Sequence, residues 1–133
     1  MKTILFLANG TSIHSFKWIS FFSKKYNILW LSTDGFDESF IQNSNINYVD
    51  CKISRLKLIN ILFGLSKFFY LVFKFEISLI HIHYLGYHSI FASFVKKIPV
   101  VLTAWGSDIV FALNSTLKKN FLKHYHTSYL YID

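Results

Sequence analysis

Three groups of polar and aromatic residues stand directly after short apolar runs of the chain. They are Asn9-Gly10-Thr11-Ser12-Ile13-His14, His83-Tyr84-Leu85-Gly86 and Trp105-Gly106-Ser107-Asp108. Apolar runs that end in polar turns are typical of buried strands in parallel sheets, and ligands bind beyond the carboxyl ends of such strands. We therefore expect these turns to meet at one edge of a parallel sheet and to form a binding site there.

The first turn, Asn9-Gly10-Thr11-Ser12, allows two interpretations. It opens a helix, whose N-terminal N–H groups attract a phosphate, and Gly10 lets that phosphate approach the backbone closely. It lacks the G-x-G-x-x-G spacing of dinucleotide-binding proteins, so a nicotinamide dinucleotide is not expected. The alternative is an ordinary strand-to-helix turn with Ser12 as the helix N-cap. His14, in the first helical turn, either donates to a ligand oxygen or points into solvent.

The turn Trp105-Gly106-Ser107-Asp108 combines residue types that bind sugars. An indole ring covers the C–H face of a sugar, a carboxylate accepts hydrogen bonds from its hydroxyl groups, and Gly106 permits a close approach. Ser107 and Asp108 are also good caps for a following helix. The alternative interpretation is therefore a capped turn with Trp105 in the core.

His81 and His83 are two residues apart in an apolar run, so they point to the same face of a strand. A metal site needs further ligands at a characteristic spacing, and the chain offers no third ligand of that kind. We therefore predict no metal, and interpret His81 as a buried, hydrogen-bonded histidine. His83 and Tyr84, at the end of the strand, are better placed to contact a ligand.

The elements that position these residues alternate along the chain. Apolar runs predict strands over residues 3–8, 27–31, 46–51, 79–83, 99–103 and 129–132. Helical spacing and caps predict helices over residues 13–25, within 36–47, and over 55–75, 87–97, 109–113 and 114–126, with Ser54 capping the third. Such alternation predicts an α/β fold: a Rossmann-like, doubly wound parallel sheet of about six strands in the order 3-2-1-4-5-6, with helices on both faces.

Composition limits the classes of partner. The 133 residues have room for one domain, and 53% of them are hydrophobic, more than one small core can hide. A second domain, a partner or a membrane surface should cover the remainder. The net charge of +7 suits phosphorylated ligands or anionic lipid, whereas the scattered lysines and single arginine argue against nucleic acid. Cys51 is the sole cysteine, so no intrachain disulfide can form, and we expect a cytoplasmic location.

The segment Arg55–Phe75 is the most apolar part of the chain. Its polar positions form a narrow stripe that includes Asn60, Gly64 and Lys67. A lysine near the centre of a membrane-spanning helix costs about 2.5–3.5 kcal/mol, which argues against a span. We interpret this segment as a crossover helix packed on the sheet. Its spare apolar surface would contact a partner or, peripherally, the inner face of the plasma membrane.

Three stretches of the chain, read together, resemble a known family. MKTILFLANGTSIHSFKWISFF at the start, HIHYLGYHSIFASF in the middle and VVLTAWGSDI after it look like the N-terminal domain of GT-B glycosyltransferases of the family-four, or glycosyltransferase 4-like, type. The resemblance extends over essentially the whole chain, residues 1–133. It departs from many relatives at Trp105, where they carry a histidine.

The resemblance implies an acceptor-side domain that binds a glycan or a lipid-linked glycan. A second domain, absent from this chain or supplied by a separate one, would bind the nucleotide-sugar donor, which acts as co-substrate without a further cofactor. It implies that Asn9, Gly10 and Ser12 lie near the donor diphosphate. The residues implied to face the acceptor or the transferred sugar are His14, His83, Tyr84, Trp105, Gly106 and Asp108.

The sequence thus predicts one half of a glycosyltransferase for surface polysaccharide or glycan biosynthesis, inactive as a transferase when alone. A rival hypothesis is a non-catalytic, membrane-associated module that recruits a donor-binding chain. A nucleotide-binding regulator is a third, but it requires a phosphate-cradling loop stronger than Asn9-Gly10.

Overall fold

The computed structural model describes residues 1–41, 46–84, 89–104 and 130–132. Within these residues six strands form one sheet in the order β3-β2-β1-β4-β5-β6, and every neighbouring pair is parallel. The strands are β1 (Thr3–Ala8), β2 (Asn27–Ser32), β3 (Ile46–Asp50), β4 (Ile77–His83), β5 (Val100–Ala104) and β6 (Leu130–Ile132). The described helices are α1 (Ile13–Phe22), α2 (Glu38–Ile41), α3 (Lys57–Lys74) and α4 (Ser89–Ala92). The predicted Rossmann-like fold and its strand order are confirmed.

Each face of the sheet carries its own core. Ile4, Phe6 and Ala8 pack with α1 and α2 on one face, whereas Leu5 and Leu7 pack with α3 and α4 on the other. Because successive side chains of a strand alternate between faces, a strand covered on both sides must be apolar throughout. This requirement explains why β1 is an unbroken apolar run.

The register of the strands brings three carboxyl ends to one edge. Ala8 of β1 is paired with His83 of β4, and His83 is paired with Thr103 of β5. The chain leaves β1 toward β2 on one side and leaves β4 toward β5 on the other, so the strand order reverses between β1 and β4. Open α/β sheets bind ligands in the crevice at such a switch point.

Two helices end earlier than their periodicity predicts. Helix α1 ends at Phe22 rather than at residue 25, because the Ser23 hydroxyl donates to the Ser20 carbonyl at 2.9 Å and closes the last turn. Helix α4 ends at Ala92 rather than at residue 97. There the Ser93 N–H and hydroxyl both donate to the Ile90 carbonyl, at 3.1 and 2.6 Å, so the chain tightens into a turn.

The start of α3 corrects a predicted cap. The helix begins at Lys57 with Leu56 at the N-cap position, and no side chain caps it. The Ser54 hydroxyl accepts instead from the Leu56 N–H at 3.1 Å. The preceding loop is held by Asn60, whose Oδ1 accepts from the N–H groups of Ile53 and Ser54 and whose Nδ2 donates to the Ser54 carbonyl, all at 2.9–3.0 Å.

The helices predicted over residues 109–113 and 114–126 lie outside the described residues. Within the part of the chain that is described, no helix has both the length and the apolar character needed to cross a membrane.

Candidate functional site

The turn after β1 is a network of short-range hydrogen bonds. The Asn9 Oδ1 accepts from the N–H and the hydroxyl of Thr11, both at 2.8 Å, and the Ser12 N–H donates to the Asn9 carbonyl at 3.3 Å. Ser12 then caps α1, accepting from the Ser15 N–H at 3.4 Å, so the predicted N-cap is confirmed. The turn is therefore rigid before any ligand arrives.

Packing inside the protein requires a residue without a side chain at position 10. A Cβ at this position would lie 2.1 Å from the Gly35 carbonyl oxygen and 2.6 Å from the Phe36 ring. The Gly10 N–H donates to the Ser32 Oγ at 2.9 Å, and its carbonyl accepts from the Asp37 N–H at 3.1 Å. A phosphate at this turn would have to use the amide groups of the first turn of α1, because protein oxygens already bind the N–H groups of Gly10, Thr11 and Ser12.

Tyr84 follows β4 in a strained backbone conformation. Its φ of 85° lies in the left-handed region, which a bulky residue rarely adopts, and its N–H donates to the Thr103 carbonyl at 3.0 Å. The residue is 43% exposed. Strain of this kind persists where the surroundings hold a side chain in a particular direction, and it is concentrated at binding sites.

His81 is buried and hydrogen-bonded, as the sequence predicts. Its Nε2 lies 2.8 Å from the Thr103 Oγ1, and its ring centroid lies 4.7 Å from that of Phe6. Burial lowers the pKa of the imidazole to about 4, with a smaller contribution from the charge of His83. His81 is therefore neutral at physiological pH. Its Nε2 is hydrogen-bonded to Thr103.

His83 lies beneath α1 rather than on the surface. It is 2% exposed, and the ring centroid of Trp18 lies 5.8 Å from its own. Trp18 also approaches His81, at 6.2 Å with the rings nearly perpendicular. Sequence reasoning missed Trp18. The available signal was its position one turn before Phe22, against whose ring it stacks at 5.9 Å.

Of the predicted site residues, six are described, and they gather at the edge where β1 and β4 end. Asn9, Gly10, Ser12 and His14 follow β1, with His14 exposed, and His83 and Tyr84 close β4. The remaining ones, Gly86, Trp105, Gly106, Ser107 and Asp108, lie outside the described residues. Among the residues that are described, no group of three His, Cys, Asp or Glu side chains is arranged to hold a metal ion.

This edge offers hydrogen-bonding groups at two levels. A phenol and an exposed imidazole stand at the rim, and a capped helix N-terminus opens beside them. Below them lies a layer of buried aromatic rings and neutral imidazole that fixes the ends of β1 and β4 relative to α1. Such a surface can bind a hydroxyl-rich or phosphate-bearing ligand.

Comparison with known proteins agrees with this geometry. The chain matches the profile of the Glycosyl transferase 4-like family over residues 3–131. A sequence search among curated proteins returns no match. Because the family match extends from the first strand to the last, this chain belongs to the glycosyl transferase 4-like family.

Proposed function

We propose that this chain is the acceptor-side half of a glycosyltransferase, which holds a glycan while a sugar is transferred from a nucleotide-sugar donor. The observation that carries the proposal is the switch point between β1 and β4, where the turns of the candidate site begin at one edge. Family membership supplies the reaction class. The pathway we propose is the synthesis of surface polysaccharide or another glycan.

Within this proposal the described residues contact either the acceptor or the donor. Tyr84 and His14, both exposed, donate hydrogen bonds to acceptor hydroxyl groups, and the Ser12-capped N-terminus of α1 faces the donor phosphates. Trp105 and Asp108 would add a stacking face and a carboxylate. The reaction needs no metal in this scheme, because the donor phosphates are neutralised by amide groups and by basic side chains.

The donor site belongs, in this proposal, to a second domain, either on the same polypeptide or on a separate chain. Residues 1–133 alone should then bind acceptor but transfer no sugar. The test incubates them with a panel of nucleotide sugars and water-soluble oligosaccharide acceptors, with and without a donor-binding domain of the same family. Turnover by the isolated chain would refute the division into two halves.

Acceptor binding is tested separately by calorimetric titration of the same oligosaccharides. Tyr84→Phe removes one hydroxyl group and should weaken binding about three- to ten-fold, the range expected for one hydrogen bond. Tyr70→Phe, which alters a half-exposed tyrosine on α3, is the matched control. Equal affinities for both variants and the original chain would contradict the assignment of the site to this edge.

The rival role, a non-catalytic module, predicts a different outcome. In that case the chain binds glycan tightly, and no donor-binding domain confers turnover. Co-purification of a donor-binding chain, followed by turnover of the complex, supports the transferase instead.

A further inference from the structure

In α3, part of the polar stripe is buried and many apolar residues are exposed, the reverse of the usual arrangement in an amphipathic helix. Asn60 and Gly64, two members of its polar stripe, are buried against the sheet and its adjoining loops, together with Phe68 and Leu71. Their spacing of four, four and three residues defines the inner side of the helix. The rest of the polar stripe consists of lysines. The side of α3 that faces away from the sheet therefore carries mainly apolar residues, with Ser66 as an exposed polar one among them.

Five large apolar side chains form this outer face of α3. Their exposed fractions are 67% for Leu58, 40% for Ile59, 59% for Leu62, 51% for Tyr70 and 85% for Phe73. They lie on one side of the helix over the sixteen residues Leu58–Phe73, a strip about 22 Å long, with the exposed Ser66 between Leu62 and Tyr70. Large apolar side chains aligned over this length, with a single serine among them, mark an interaction surface rather than ordinary scatter.

Two lysines at the margin of this strip lie next to aromatic rings. The Lys67 Nζ lies 5.3 Å from the centroid of the Phe63 ring, and the Lys74 Nζ lies 5.0 Å from that of Tyr70 and donates to its hydroxyl at 2.6 Å. Paired aromatic and ammonium groups at the margin of an apolar strip suit the boundary between hydrocarbon and lipid headgroups. The strip widens at Phe94, 58% exposed, whose ring lies 6.0 Å from that of Phe69.

We propose that the outer face of α3 docks on an anionic lipid surface, with the helix lying in the plane of the headgroups. The positive charge of this part of the chain favours an anionic lipid surface as the binding partner. Between Cys51 and Glu76 the chain has five basic residues and no acidic one. A second copy of the chain seated on this face would bring lysines against lysines, and lysine is depleted from the cores of protein interfaces. An apolar strip with basic margins is the pattern of interfacial helices.

This proposal stands apart from the proposed function, because lipid docking needs neither donor nor acceptor. The test is co-sedimentation of residues 1–133 with phosphatidylcholine vesicles that contain, or lack, phosphatidylglycerol. We expect binding to the anionic vesicles, weakened by added salt. Lys67→Gln and Lys74→Gln should each weaken partitioning about five-fold. The charge control is Lys24→Gln with Lys25→Gln, two exposed lysines after α1.

The apolar contribution is tested with Leu62→Ser combined with Phe73→Ser, which should weaken partitioning about 100-fold. Both side chains are largely exposed, so the fold should survive, and circular dichroism checks that it does. Phe21→Ser is the matched control, since Phe21 is 64% exposed on α1, across the sheet from α3.

Three results would overturn lipid docking. The first is the absence of binding to anionic vesicles. The second is binding that the α3 variants leave unchanged. The third is self-association that Leu62→Ser with Phe73→Ser abolishes while vesicles stay unbound, which would assign the face to a second copy.

Discussion

The substitution His81→Gln tests whether a neutral imidazole is buried between α1 and the sheet. Burial lowers the pKa of His81 from 6.5 in an exposed setting to about 4. Between these two values the unfolded chain binds a proton at this position and the folded chain does not. The stability that depends on the neutral ring is therefore complete above pH 6.5 and is lost as the pH falls toward 4.

The size of the effect follows from the same two values. Lowering the pH from 7 to 5 should cost the original chain about 2 kcal/mol through His81 alone, and the full cost below pH 4 is about 3 kcal/mol. Glutamine cannot take up a proton but can still reach the Thr103 hydroxyl. His81→Gln should therefore lose about 2 kcal/mol less than the original chain between pH 7 and pH 5, whatever its stability at pH 7.

The assay is urea unfolding followed by tryptophan fluorescence, for which the fully buried Trp30 is a suitable reporter. His14→Gln, which removes an exposed histidine, is the control and should follow the original chain. If His81→Gln and the original chain lose the same free energy of unfolding over this range, His81 is not held neutral in the folded protein.

Three further predictions concern packing and the thiol. Gly10→Ala should cost about 3 kcal/mol of unfolding free energy, because the new Cβ meets the backbone oxygen of Gly35; an effect below about 1 kcal/mol in urea unfolding would contradict the contact. Gly64→Ala gains about 1 kcal/mol of helix propensity, but its Cβ would lie 2.8 Å from the buried Thr33 Cγ2, so a net loss of about 1–2 kcal/mol is expected. The control is Ser66→Ala at an exposed position of the same helix, which should gain about 0.5 kcal/mol through propensity alone. Burial raises the pKa of the Cys51 thiol from 9.0 to about 11. The folded chain should therefore react with a chromogenic disulfide reagent at pH 8 at least about 100-fold more slowly than the chain unfolded in urea. Equal rates would show that the thiol is accessible in the folded chain.

The strands and their order were predictable because the signal for each is local. A strand covered on both faces must be apolar throughout, and the predicted bounds of β1 match the observed Thr3–Ala8. The alternation of such runs with helices leaves few topologies, since parallel crossovers are right-handed. The Ser12 cap is equally local, because it depends on residues three apart.

The helix ends and half of the site depend on contacts that the sequence does not show as a pattern. Ser54 is a reasonable cap, but Asn60 organises the loop before α3 and displaces the start of the helix. Gly10 looks like a phosphate-binding glycine, yet its lack of a side chain is required by Gly35, on a different loop. Trp18 reaches the histidines of β4 only because α1 crosses back over β1. Each of these depends on where two elements meet in space.

The two proposals become related through the position of α3 on the sheet. Its first turns lie against the loop after β2, where Lys57 and Asp34 form an ion pair at 3.9 Å and Gly64 packs on Thr33. That loop stands at the carboxyl edge, which also carries Asn9 and Tyr84. A lipid surface docked along α3 would therefore extend beside the candidate site. An acceptor anchored in that surface would reach the site by diffusing in two dimensions, which raises its effective concentration. If both proposals hold, the expected acceptor is a membrane-borne glycan rather than a freely dissolved one.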